Sequence, residues 1–166
     1  MSGGKSPPLT VITKPLSRVT RDLNTVEPIS YSDTFTITGL QGELEQAPAE
    51  EWARAVLGNV PNLAENVIWS GLLRFKLHRQ VSHTAIAGWQ IGGRGGDKWV
   101  RLENSSWLMD ANILVSKDQG QEVSFSTLLR YKSLAGRLVW SVLGVVHRWV
   151  LPRLLRAGAR KLQKDE

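Results

Sequence analysis

The side chains of this chain best placed to do chemistry are a carboxylate inside an apolar strand pattern and a histidine inside an apolar helix. Asp33 lies in "YSDTFTIT", where Tyr31, Asp33, Phe35 and Ile37 alternate with Ser32, Thr34, Thr36 and Thr38. A carboxyl group on the inward face has its pKa raised unless it is paired, and such groups mark sites. If the strand instead starts at Thr34, Asp33 caps a turn in water. His147 lies in "WSVLGVVHRWV", two helical turns after Trp140 and one after Leu143. An imidazole there can act as acid, base or donor near neutral pH, or simply pack at a helix–sheet seam. Tyr131 closes the inward set of "EVSFSTLLRYK" and would add a hydroxyl donor. Asp33, His147 and Tyr131 are therefore the candidate catalytic set.

Other chemistries lack their residues. The three histidines form neither HxxxH nor HExxH, so no metal is expected. His78 and His83 are expected at exposed strand ends. "GGRGGD" reads as a hairpin turn and does not open a helix, so no dinucleotide cofactor is expected. No GxSxG occurs, and the absence of cysteine excludes Cys–His catalysis, disulfides and thiolate metal sites.

Several elements must position these groups. Residues 1–28, with Pro7, Pro8, Pro15 and Pro28, read as a mostly irregular arm in which "LTVIT" can add a short strand. Residues 29–166 read as the folded domain. After the Asp33 strand, "APAEEWARAVLGN" reads as a helix started by Pro48, Glu50 and Glu51 and stopped by Gly58. "PNLAENVIWSGLL" reads as a second, with Asn62 and Glu65 in capping-box spacing. "RFKLHR", "TAIAGWQI", "KWVRLEN", "SWLMDANILVS" and "EVSFSTLLRYK" read as antiparallel strands. Arg101 and Glu103 fall on the outer face.

The apolar rhythm slips by one residue at Asn104-Ser105-Ser106. Val100 and Leu102 are even-numbered, whereas Trp107, Met109, Ala111, Ile113 and Val115 are odd. Such a slip turns side chains to the other face unless the backbone breaks. A tight turn between two strands is the favoured reading and a bulge the alternative. On this phasing Tyr31, Phe35, Trp89, Asn104, Trp107, Phe125, Thr127 and Trp140 line the inner face, as core or as a ligand cavity.

From Ser133 onward, apolar residues at 138, 142, 145 and 149, and again at 139, 143, 146 and 150, give helical spacing over a wide stripe. Pro152 predicts a kink or a new start near Val150. The net charge of +6 is concentrated here, with Lys or Arg at 148, 153, 156, 160, 161 and 164 and no acid between them. No nucleic-acid motif accompanies this charge, so no nucleic-acid partner is expected. Trp149, Leu151, Leu154 and Leu155 beside Arg148, Arg153, Arg156 and Arg160 suit a weak contact with an anionic membrane. No apolar run reaches the roughly 20 residues of a membrane span and no signal-like segment opens the chain. The default location is cytoplasmic.

A strand, two helices, about five antiparallel strands and a long helix make an α+β chain. The apolar sheet face must be covered, and a curved sheet wrapped around the C-terminal helix does so, leaving a gap between them. This order over residues 30–160 resembles the helix-grip fold of the START-like and polyketide-cyclase superfamily. "GRLVWSVLGVVHRWVLPRLLRAGARK" is similar to the closing helix of a bacterial helix-grip family of unknown function. Gly136, Arg137, Trp140 and His147 match that family's pattern, while Val145 stands where the family has Pro. "WVRLENSSWLMDANILV" is similar to its central hairpin. Some members are fused to nucleotide-binding dehydratase-like domains. The resemblance implies no particular activity. Two expectations remain open: a carrier of a hydrophobic small molecule or lipid, or a cyclase- or dehydratase-like enzyme acting on a polyketide or related carbonyl compound.

Overall fold

In the computed structural model, residues 7–58, 66–78, 80–118 and 121–164 are described. Strands β1 (Thr10–Thr13), β2 (Tyr31–Thr38), β3 (Ala85–Ile86), β4 (Trp89–Arg94), β5 (Trp99–Ser105), β6 (Met109–Lys117) and β7 (Glu122–Tyr131) form one seven-stranded sheet. All pairings are antiparallel, in the order β1-β2-β7-β6-β5-β4-β3. The helices are α1 (Arg18–Leu23), α2 (Glu43–Gln46), α3 (Ala49–Leu57) and the long C-terminal α4 (Leu134–Leu162). The chain is α+β with a helix-grip arrangement.

The inner face of the sheet carries Phe35, Ile37, Val100, Leu102, Met109, Ala111, Val115, Val123, Phe125 and Leu129, all buried against α3 and α4. Alternation in β2 and β6 is the direct cause. β7 is the central case, buried on both faces from Val123 to Leu129. Its outward Ser124 and Ser126 pair with Thr36 and Thr34 at 2.7 and 2.8 Å. Hydroxyls so paired are tolerated in a buried layer.

The segment before β2 covers the outer side of neighbouring strands of the same sheet. The segment expected to be mostly irregular holds β1, which pairs with β2, and α1, capped by Ser17 Oγ accepting from Thr20 N at 3.0 Å. It then reaches the outer side of β5 and β6. Arg101 Nη1 donates to Leu23 O at 2.9 Å, and the Asn112 carboxamide meets Asn24 and Thr25 at 3.1 and 3.0 Å.

Four local expectations change. "RFKLHR" forms no strand: Arg74 takes a positive φ of 58°, and residues 74–78 run as a connection with Phe75 buried. "TAIAGWQI" is not one strand but a hairpin, β3–β4, turned at Ala87 and Gly88 with φ of 50° and 83°. Positive φ at both central residues is the hairpin turn whose twist fits the strands. Gly92, Gly93 and Arg94 belong to β4, so the next turn begins only at Gly95. The described part of the expected second helix, Asn66–Leu72, is π-helical; its capping box, Asn62 and Glu65, lies outside the described residues.

The slip at 104–106 is a turn. β5 ends at Ser105, Ser106 N donates to Met109 O at 2.9 Å, and Ser106 Oγ accepts from Leu108 N at 3.1 Å. Arg101 and Glu103 pair along β5 at 2.8 Å rather than across strands.

Helix α4 starts at a cap, with Gly136 N donating to Ser133 Oγ at 3.1 Å. It continues as one helix through Pro152, so the new start expected near Val150 does not occur. Its ends are seated by glycine. A methyl on Gly136 would stand 2.2 Å from Leu108 O, and one on Gly158 would stand 2.5 Å from Val56 Cγ2 on α3. The helix also holds an 18-residue stretch of mean hydropathy 1.3, long and apolar enough to cross a membrane by length and composition, of which 22% is buried. Contiguous runs in the sequence did not reveal this, because arginines punctuate them.

Candidate functional site

Asp33 and His147 come from opposite layers and meet. β2 begins at Tyr31, so Asp33 is within the strand, opposite Thr127 of β7. His147 projects from α4. Its Nε2 lies 3.1 Å from Asp33 Oδ2 and 3.2 Å from Thr127 Oγ1. Tyr31 Oη donates to Asp33 Oδ2 at 2.5 Å, and Arg148 Nη1 donates to Tyr31 Oη at 3.2 Å. The Trp140 ring packs edge-on against Tyr31 at 5.4 Å and tilted against His147 at 5.3 Å. Burial, reinforced by the hydrogen bond to Asp33, pushes the Tyr31 phenol up to about 12, with Arg148 opposing. The phenol therefore stays protonated at neutral pH and acts as a donor to the carboxylate.

In the tautomer whose Nε2–H donates to Asp33, the ring's lone pair is on Nδ1, an assignment made from the partners. A base whose second nitrogen is fixed by a carboxylate is the arrangement that general-base chemistry uses. It is equally a fixed polar anchor.

His147 lines a cavity of about 320 Å³ between sheet and helix, and Asp33 stands behind it, outside the lining set. Ile113, Phe125 and Leu129 supply the sheet wall; Leu143, Val146, Val150 and Leu154 the helix wall; Trp69, Leu73, Phe75 and Trp89 one end. Among the described lining residues, Thr127 and His147 carry the polar side chains besides the tryptophan N–H groups. Two of those indoles, on Trp89 and Trp140, are buried donors with no hydrogen-bond partner among the described residues. Buried indoles usually find one, and leaving one unmet costs about 1–3 kcal/mol.

Trp89, Phe125, Thr127 and Trp140 are thus in the cavity wall. The other expected positions are not. Tyr31 stands behind Asp33, and Phe35 is buried in the core outside the lining set. Trp107 is 64% exposed because the turn at 106–108 swings it off the strand phase. Asn104 donates Nδ2 to Lys76 O at 3.1 Å and so holds the 74–78 connection instead. Tyr131 is half-buried beyond the cavity; burial raises its pKa while Arg137 and Arg148 oppose. The hydroxyl donor beside Asp33 is that of Tyr31, whereas Tyr131 was the expected donor of the set. His78 and His83 are exposed.

No family model, curated protein or solved structure matches this chain. The site is therefore read from its geometry. Sequence reasoning missed Arg148 as a partner of Tyr31, and it missed Trp69, Phe75 and Val146 as wall residues. The helical set 139, 143, 146 and 150 was the available signal for the last of these. Phe75 was hidden by its misread strand.

Proposed function

We propose that this protein is a helix-grip carrier that holds a hydrophobic small molecule or lipid between its sheet and α4. The observation that carries this reading is the cavity itself: apolar and aromatic over most of its wall, with Thr127 and His147 as its polar side chains. Ligand sites have this make-up, an apolar cleft with a few placed polar groups. Kinship with the bacterial helix-grip family, and a cytoplasmic location, belong to the same proposal. The test is native mass spectrometry after incubation with a lipid extract. A discrete adduct is expected for the wild type, and its loss in Leu143→Trp, which fills the cavity. Absence of any adduct on folded wild-type protein would overturn the reading.

One observation favours a second reading, a cyclase- or dehydratase-like enzyme acting on a polyketide or related carbonyl compound: His147, in the cavity wall, is held by Asp33 at 3.1 Å from behind. There His147 is the acid–base group and Asp33 its positioning partner. Turnover of a β-keto thioester panel that falls at least a hundredfold in His147→Gln is the expected result. Turnover unchanged by that substitution would sink it.

A further inference from the structure

The side of α4 turned away from the cavity is apolar and uncovered. Leu134, Leu138, Val142, Val145 and Trp149 are 77, 68, 67, 59 and 62% exposed. Steps of three and four residues place them on one stripe, about 22 Å long at 1.5 Å per residue. The same steps continue through Arg153, Arg156 and Arg160, all exposed. At the junction the Arg153 guanidinium lies 3.6 Å from the Trp149 ring centroid. One helix face is thus apolar for its first four turns and cationic thereafter. No Asp or Glu occurs between Glu122 and Asp165. An exposed apolar stripe of this extent marks an interaction surface.

The charge selects the occupant. A second copy aligned parallel would set arginines against arginines. Antiparallel pairing of the apolar halves would carry the cationic run of each copy toward Lys132 and Arg137 of its partner, again like against like. An anionic bilayer complements both halves at once: acyl chains for the apolar stripe, phosphates for the arginines.

We infer that this face of α4 docks on an anionic lipid bilayer, lying in the interface rather than crossing it. Trp140, Leu151, Leu155 and Ala159 hold the opposite face of the helix in the core. The surface differs from the one the sequence suggested. Leu151 and Leu155 are 5% and 0% exposed, and Leu154 belongs to the cavity wall. Val146, 44% exposed, is shared by the cavity wall and the edge of the stripe, so cavity and docking face adjoin. Docking stands independently of what the cavity holds.

The test is flotation of the full chain with phosphatidylcholine vesicles and with phosphatidylcholine–phosphatidylglycerol vesicles. Binding to the anionic vesicles only, weakened by salt, is expected. Leu138→Asp with Val142→Asp should abolish it with the melting temperature preserved. Neutralising Arg153, Arg156 and Arg160 to Gln should weaken it on the order of a hundredfold. Equal binding to both vesicle types, or none to either, would overturn the inference. So would a solution dimer that the Leu138→Asp, Val142→Asp protein no longer forms, since the face would then be a subunit interface.

Discussion

Gly136→Ala tests how α4 is seated. The added methyl would stand 2.2 Å from Leu108 O and 3.0 Å from its carbonyl carbon. That oxygen already accepts from Lys132 N at 2.9 Å, and Gly136 N is held by the Ser133 cap. Neither side can retreat without loosening one of these bonds. Helix propensity alone would make alanine stabilising by about 1 kcal/mol. Overpacking opposes it with about 1–3 kcal/mol, and a weakened hydrogen bond adds about 1 kcal/mol. The clash wins, by about 1–3 kcal/mol net. For a domain of this size that lowers Tm by roughly 3–10 °C, measurable by circular-dichroism melting. Leu138→Ala, on the exposed stripe of the same helix, is the control and should stay within about 0.5 kcal/mol of wild type. A Gly136→Ala protein melting at or above the wild type would refute the close seat at Leu108.

Trp140→Ala removes a 7%-exposed indole packed on Tyr31 and His147; urea denaturation should show a loss of about 3–5 kcal/mol, and an unchanged midpoint would mean the helix faces the other way. Tyr31 has its folded pKa raised from 10.0 to about 12, so its contribution is complete below pH 10 and is lost as the pH rises through the folded value. The stability gap between wild type and Tyr31→Phe should therefore narrow across that window; a gap constant up to pH 12 would contradict the hydrogen bond to Asp33. Asn112→Ala leaves Asn24 and Thr25 without their partner on β6. It should cost about 1–2 kcal/mol and speed amide exchange in residues 17–26, and unchanged exchange there would show that the arm is held by other contacts.

The sheet was legible where a strand has neighbours that use its alternation. β2, β6 and β7 match their pattern, and the slip at 104–106 located the β5–β6 turn. The same parity count misplaced Trp107, because a turn residue obeys turn geometry and not the strand period. "RFKLHR" shows the converse: Phe75 is buried and Arg74, Lys76 and His78 are exposed, yet no strand pairs with it. Alternation reports burial, and a strand needs hydrogen-bond partners besides. Ala87-Gly88 carried little turn signal, since such turns are usually marked by Asn-Gly or Asp-Gly. The outer cover of β6 and β7 was invisible for a related reason: Ser124, Ser126 and Asn112 read as solvent-facing until Thr34, Thr36, Asn24 and Thr25 are brought to them.

The site was half legible, and α4 explains which half. Asp33, Thr127, Trp140 and His147 follow from strand and helix periods. The cavity follows from a size pattern along the helix that no period reports. At its ends glycines admit close neighbours: the Leu108 carbonyl at Gly136 and the Val56 side chain at Gly158. Between them stand Trp140, Leu143 and His147, side chains long enough to prop the helix off β7. Close packing would fill such a gap, yet β7 answers there with Thr127 and not with another large residue. The two offset apolar sets of the helix then separate in role. The set at 139, 143, 146 and 150 faces the sheet and the cavity, with Val146 half-exposed at its margin, and the set at 138, 142, 145 and 149 turns outward and is exposed. A core helix needs only the first set. The second exposes several large apolar side chains to water at a cost of about 25 cal/mol per Å², which a docking surface would recover on binding.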